Sequence, residues 1–404
     1  MAGPERDRSK AARAPLPPGY LTLWVTVALD LVGFGIVVPI LGRYAERFGA
    51  NGLEVGLLFA SFSLAQLVCA PLLGRWSDRI GRKPVIVVSL IGTAVGSFVT
   101  GAAGALWVLF LGRLIDGASG GSLSVAQAAV ADISSPEQRP KLVGMMGAAF
   151  GVGFVLGPAI GGLSALGGPH VPFYVAGVLA SVNAVAALIR LPETRTDTKV
   201  ERRRGRSRGT TSPASTPLRH LALVGFITTF AFAAFEATFS LFGDRRFGLT
   251  EGSSAAVFFG VGVVLVAIQG NLFGKVVDRW GLGVTFRNGV LLLVGGLLAL
   301  AAATNWPVLI VALVLLAVGQ GCASPSITTI VSDLALPDQR GEALGFQQSA
   351  YAIARVLSPP IAGLLFDHAG VPSPYVFGAA LCVVGVSLML VWGLHRVVPA
   401  PAAR

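Results

Sequence analysis

The sequence predicts an all-α integral membrane protein made of two six-helix bundles related by a pseudo-two-fold axis along the membrane normal. Three observations carry this prediction. The 404-residue chain is 53% hydrophobic and only 13% charged, about half the charged share of an ordinary soluble domain. Its apolar residues fall in blocks of about 20, enough for a helix to cross ~30 Å of hydrocarbon. The two halves also repeat each other at an offset of 200 or 201 residues.

The blocks read as helices because lipid offers the backbone no partners, and a helix satisfies its own N–H and C=O groups. The short alternating segments of a membrane barrel are missing. Twelve spans are expected: 21–41, 53–73, 84–103, 105–131, 140–166, 172–191, 219–243, 252–273, 285–303, 306–333, 341–365 and 372–395. A polar tail, 1–20, precedes the first bundle, 21–191. The link 192–218 is rich in Arg, Ser, Thr and Pro without apolar period, and reads as a disordered cytoplasmic linker. Its arginines serve orientation or anionic lipid headgroups. The second bundle, 219–396, and a short tail, 397–404, complete the chain. The first block is too long for a secretory signal and contains Asp30, so it is expected to remain as a helix.

The formal charge is +11, but the basic residues lie in the links and do not form a nucleic-acid surface. Arg6, Arg8, Lys10, Arg13, the 74–83 turn, Arg139, Lys141, the central link, Lys275, Arg279, Arg287, Arg340 and Arg396 fall on one side. Only Arg43, Arg47, Arg245 and Arg246 fall on the other. The positive-inside rule then puts both termini in the cytoplasm of a cell membrane. Cys69, Cys322 and Cys382 sit inside apolar blocks and read as small hydrophobes. The four histidines are scattered, and no catalytic or phosphate-binding motif appears. No enzyme activity, metal or cofactor is expected.

The repeat is explicit. GRWSDRIG at 74–81 returns as GKVVDRWG at 274–281, and ADISSPEQR at 131–139 as SDLALPDQR at 332–340. GPAIGGL at 157–163 returns as SPPIAGL at 358–364. Such repeats place a substrate path between the halves.

The ten residues GRWSDRIGRK, 74–83, resemble the loop signature of the major facilitator superfamily, and the resemblance extends over nearly the whole chain. It implies the major facilitator fold. Gly74 and Gly81 suit a tight turn, and Asp78 suits the positive end of a neighbouring helix. Arg79 and Lys83 add basic charge. In the family, Arg82 meets a carboxylate at the inner end of the fourth helix, here Asp132. The implied role is a latch that closes the cytoplasmic side; topology and turn chemistry alone are the alternative. Asp278 and Arg279 persist in the second copy, where the loss of the GRK portion predicts a weaker latch.

Charges inside the spans need a reason, since each costs roughly 2.5–3.5 kcal/mol at the bilayer centre. Asp30, with Gly33, Gly35 and Pro39, resembles the first-helix pattern of drug:proton antiporters, including tetracycline exporters. A carboxylate in low dielectric binds protons more readily; a structural hydrogen bond is the other reading. Arg113 and Asp116 lie three apart on one helical face. The family's fourth-helix motif is partly kept around them, which implies proton transfer; a self-neutralising pair is the alternative. Gly153, Gly157, Pro158, Gly161 and Gly162 resemble the fifth-helix antiporter motif and suit close backbone packing.

Glu236 stands among Phe232, Phe235 and Phe239, as a second proton site or as a partner for a cationic lipophilic drug. Arg355 can pair with it or bind an anion. Gln127 and Gln347 are further cavity candidates, although polar residues in spans serve more often as helix–helix bonds. The resemblance thus implies a monomeric secondary transporter, coupled to protons, that exports small lipophilic compounds through the bilayer. A transporter of a polar metabolite such as a sugar or amino acid is the alternative. The eighth span, 252–273, contains no histidine, where some tetracycline exporters have one.

Overall fold

The computed structural model describes residues 15–135, 138–195, 216–336 and 339–392. Within them the chain is helical, with no strand. The helices are α1 (Tyr20–Glu46), α2 (Gly52–Ile80), α3 (Arg82–Gly101), α4 (Leu106–Ser119), α5 (Ser122–Ile133), α6 (Arg139–Ala165) and α7 (Val171–Arg190). The second half contributes α8 (Thr216–Phe247), α9 (Glu251–Ala267), α10 (Phe273–Trp280), α11 (Leu282–Ala302), α12 (Trp306–Leu334), α13 (Arg340–His368) and α14 (Ser373–Val391). Eleven helices among the described residues are long and apolar enough to cross a membrane.

The described residues form two compact units. One holds the chain up to Val37 together with Leu64 to the end of α7; the other holds Val38–Ser63 together with α8 to α14. In the first, α3 packs on α7, α4 and α5. Tyr20, Leu23 and Val27 of α1 meet Val85, Ile86 and Leu90 of α3, Val125 and Val130 of α5, and Ala187 of α7 in one core. The opposite face of α7 exposes Val178, Val182, Val185 and Ile189, an apolar stripe that lipid would cover and water would not.

The second unit is built on the pairing of α11 with α12 and of α8 with α13 and α14. Its core is aromatic. Phe235, Phe239 and Phe258 pack with ring centroids 5.2–5.6 Å apart, and Phe242 meets Tyr375 edge-on. Residues 38–63 join this unit through charge and close backbone contact. Arg43 pairs with Asp244 at 2.8 Å and Arg47 with Glu251 at 2.6 Å. The N–H groups of Gly52 and Leu53 both donate to the Asp367 carboxylate at 2.9 Å.

Several boundaries differ from the sequence expectation. The fourth span, expected unbroken over 105–131, is two helices separated at Gly120–Gly121. Two adjacent glycines propagate a helix poorly, and Ser119 and Ser124 turn their hydroxyls onto backbone carbonyls. Gln66 of α2 donates to the freed Gly120 carbonyl at 2.8 Å, which satisfies a group that lipid could not.

The turn expected at 74–83 is confined to one residue. α2 continues through the signature to Ile80, and only Gly81, at φ 108°, leaves the helix. Gly74 lies inside α2 with open space where a Cβ would stand. Gly281, at φ 79°, makes the same break two hundred residues later.

The span 252–273 passes through a π-helical turn at Ile268–Leu272 before α10. Gly270, a poor helix former, lies within this turn. The linker expected over 192–218 is shorter, because Pro192–Arg195 are placed and α8 begins at Thr216. Its arginine run, most of the N-terminal tail and the C-terminal tail lie outside the described residues.

Candidate functional site

The signature loop forms a charge cluster on the ends of α2, α3 and α5. Arg82 donates through Nη1 to Asp78 and Ser77, both at 2.7 Å, and through Nε to Asp132 at 2.8 Å. One planar guanidinium therefore holds two carboxylates and a hydroxyl, which a lysine ammonium does less specifically. Asp78 faces Arg82 here. The carboxylate on the start of α3 is Glu193, which accepts from the N–H groups of Arg82 at 2.9 Å and Lys83 at 3.2 Å. A negative group there satisfies two orphan donors and suits the helix dipole.

Arg195 donates to the Arg79 carbonyl. Sequence reading missed Glu193 because it lies just beyond a span, in what reads as linker. The second copy is different: Asp278 and Arg279 are exposed, and neither joins an ion pair among the described residues.

The proton candidates of the first half converge. Asp30 is half-buried on α1, and the Ser122 hydroxyl at the start of α5 donates to its Oδ2 at 2.5 Å. Arg113 and Asp116 on α4 pair at 2.8 Å, with Arg113 only 3% exposed. Thr93 of α3 hydrogen-bonds Asp116, and Asp116 lies within electrostatic range of Asp30. Asp30, Asp116 and Arg113 thus form one polar cluster in an apolar unit. Ser122 and Gln66 were not foreseen, since a serine or glutamine in a span carries no spacing signal.

The antiporter-like glycines bring α6 against α1. A Cβ on Gly153 would come within 2.7 Å of the Leu31 carbonyl oxygen. One on Gly157 would come within 2.5 Å of the Gly35 Cα, and one on Gly35 would strike the Gly153 carbonyl. Leu31 and Gly35 flank Asp30 on α1, so this packing sets the backbone that carries the carboxylate. Pro158 lies inside α6, and Gly161 receives the Ser164 hydroxyl on its carbonyl.

In the second unit Glu236 is buried, and its Oε1 accepts no hydrogen bond among the described residues. Arg355 acts on it electrostatically without an ion-pair contact. Phe232, Phe235 and Phe239 are buried, and Phe235 and Phe239 pack into the aromatic core. Gln347, expected on a cavity, is 2% exposed and donates to the Tyr351 hydroxyl at 2.6 Å. The bond is local, because residues four apart share a helical face. Gln127 is exposed. Among the described residues no cluster of His, Cys, Asp and Glu could hold a metal.

A helical membrane chain with an internal repeat, a charged loop in each half and carboxylates inside its spans has the architecture of a secondary transporter. The chain belongs to the Major Facilitator Superfamily, whose family model matches residues 23–303 and 272–404. It is 30% identical over 375 residues to Multidrug resistance protein 1 of Bacillus subtilis (strain 168), covering 92% of this chain and 96% of that one. It is 30% identical to the class B tetracycline resistance protein of Escherichia coli over 85% and 87% of the two chains. Among solved structures, the human organic anion transporter MFSD10 (TETRAN) is similar with a TM-score of 0.70 at 26% identity, covering 96% of this chain and all of that one.

Proposed function

We propose that this chain is a proton-coupled antiporter that exports small lipophilic compounds by alternating access. The observation that carries the reading is Asp30, a carboxylate inside an apolar span, hydrogen-bonded to Ser122 and within range of the Arg113–Asp116 pair. A half-buried carboxylate can exchange a proton with water in one conformation and be shielded in another. Arg113 neutralises Asp116 and so leaves Asp30 as the group whose charge changes. Coupling requires that proton and substrate favour different states, since a ligand shifts an equilibrium only by its differential affinity.

The names of the relatives, multidrug and tetracycline resistance proteins, support export of drug-like compounds. The Arg82 cluster is read as the cytoplasmic latch, with both termini in the cytoplasm and the monomer as the working unit.

The test is accumulation of a lipophilic cationic dye and several antibiotics in exporter-deficient bacteria. Cells express wild type or Asp30→Asn at equal membrane levels, with and without a protonophore. Lower accumulation only in energised wild-type cells is the expected result. Equal accumulation in wild-type, mutant and empty cells removes the drug reading and turns the search to polar metabolites.

A further inference from the structure

We infer that α5 is the element through which protonation of Asp30 reaches the Arg82 latch, with Ser122 as the positioning residue at its upper end. This rests on the reading of Asp30 as the proton carrier. α5 has 12 residues, a rigid rod of about 18 Å. Its first residue, Ser122, is 4% exposed and donates its hydroxyl to Asp30 at 2.5 Å. Its penultimate residue, Asp132, accepts from Arg82 at 2.8 Å. One short helix therefore carries both a partner of the half-buried carboxylate and a partner of the latch.

The break that separates α5 from α4 lets the rod move on its own. Gly120 and Gly121 lie between the two helices, and the Gly120 carbonyl bonds to Gln66 on α2. The backbone group exposed by the break is thus satisfied from outside the helix and does not force α4 and α5 to move as one. Asp116 and Arg113, on α4, stay on the other side of the hinge.

Hydrogen-bond chemistry supplies the signal. An ionised Asp30 accepts a charge-assisted bond from the Ser122 hydroxyl, stronger and shorter than a neutral one. Proton binding removes the charge and weakens that tie. The upper end of α5 is then freed, and its lower end shifts Asp132 against Arg82. The charged groups bearing on Asp30 are Asp116 and its partner Arg113. α6, packed against α1 by Gly153 and Gly157, has no titratable residue over 144–165.

Amide hydrogen exchange of segment 74–83, in the purified full chain in lipid nanodiscs, tests this without a substrate. Asp30→Asn mimics the protonated carboxyl. It is expected to change exchange of 74–83 about fivefold, the scale of one net hydrogen bond. In the Ser122→Ala background the same substitution should leave 74–83 unchanged, and Ser122→Thr, which keeps the hydroxyl, should keep the response. A response of equal size in Ser122→Ala, or no response in the Ser122 chain, overturns the inference.

Should Ser122→Ala not fold, reciprocity provides a second route, because coupling acts equally in both directions. Arg82→Ala is then expected to shift the pH midpoint of dicyclohexylcarbodiimide modification of Asp30, followed by peptide mass spectrometry, by the equivalent of about the same factor in proton affinity. An unchanged midpoint overturns the inference. Energised dye export that survives Asp30→Asn defeats the proton-carrier reading itself. Export lost in Asp30→Asn, with an exchange response indifferent to Ser122, defeats only the role of α5.

Discussion

Arg82 organises the charge cluster on the ends of α2, α3 and α5. Its guanidinium reaches Asp78, Ser77 and Asp132 from one plane, a geometry that depends on the fork and not on charge alone. Arg82→Lys keeps the charge but cannot hold both carboxylates with the same directionality. The variant is expected to lose about 1–2 kcal/mol of stability, the lower range for hydrogen bonds to charged groups since Asp78 is largely exposed. A thermal midpoint in detergent equal to wild type would show that the fork is dispensable. The Arg82–Asp132 partnership was legible through the family signature. Glu193 and Ser122 were not, because each acts by meeting a residue distant in sequence, and its own neighbours say nothing of that.

At the scale of elements, the glycines of the signature separate into two kinds that the motif treats alike. Gly74 sits in the middle of α2 with open space at its Cβ position. Gly74→Ala should therefore be neutral or stabilising by up to about 1 kcal/mol, the helix-propensity gain. Gly81 has φ 108° and a Glu193 carboxylate against the missing Cβ. Gly81→Ala is strained by backbone and by contact, and is expected to lower the thermal midpoint measurably. Equal midpoints for the two variants would contradict this placement.

The same distinction explains the helix breaks. Runs of apolar residues announce that a span exists, and within the described residues each expected span corresponds to helical segments. Whether a span is continuous depends on whether a neighbour satisfies the backbone freed by a break. Gln66 does so for Gly120, and nothing in residues 105–131 reveals it.

Across the whole molecule, the repeat gives two copies of one design with different equipment. Gly81 and Gly281 break their helices in the same left-handed region, so the backbone plan is kept. The charge plan is not, because Asp278 and Arg279 stand exposed and, among the described residues, neither makes an ion pair like that of Asp78 with Arg82. Asp78→Asn is expected to impair dye export while leaving the protein in the membrane, and Asp278→Asn to have a smaller effect. The check is initial export rate at matched membrane levels. Equal loss from both variants would mean that the second copy carries a latch of the same strength.

Composition and periodicity alone determined that the chain spans a membrane as helices, that it is two related halves, and which residues are charged where charge is costly. Those properties are local, set by each segment's own solubility in lipid and by its own backbone bonding. Only the tertiary structure decided that Asp30 meets Ser122, that Glu193 covers the start of α3, that α5 is a separate rod and that Gln347 is buried. These depend on which helix faces meet, and a span's pattern records that it has a buried face without naming the partner that buries it.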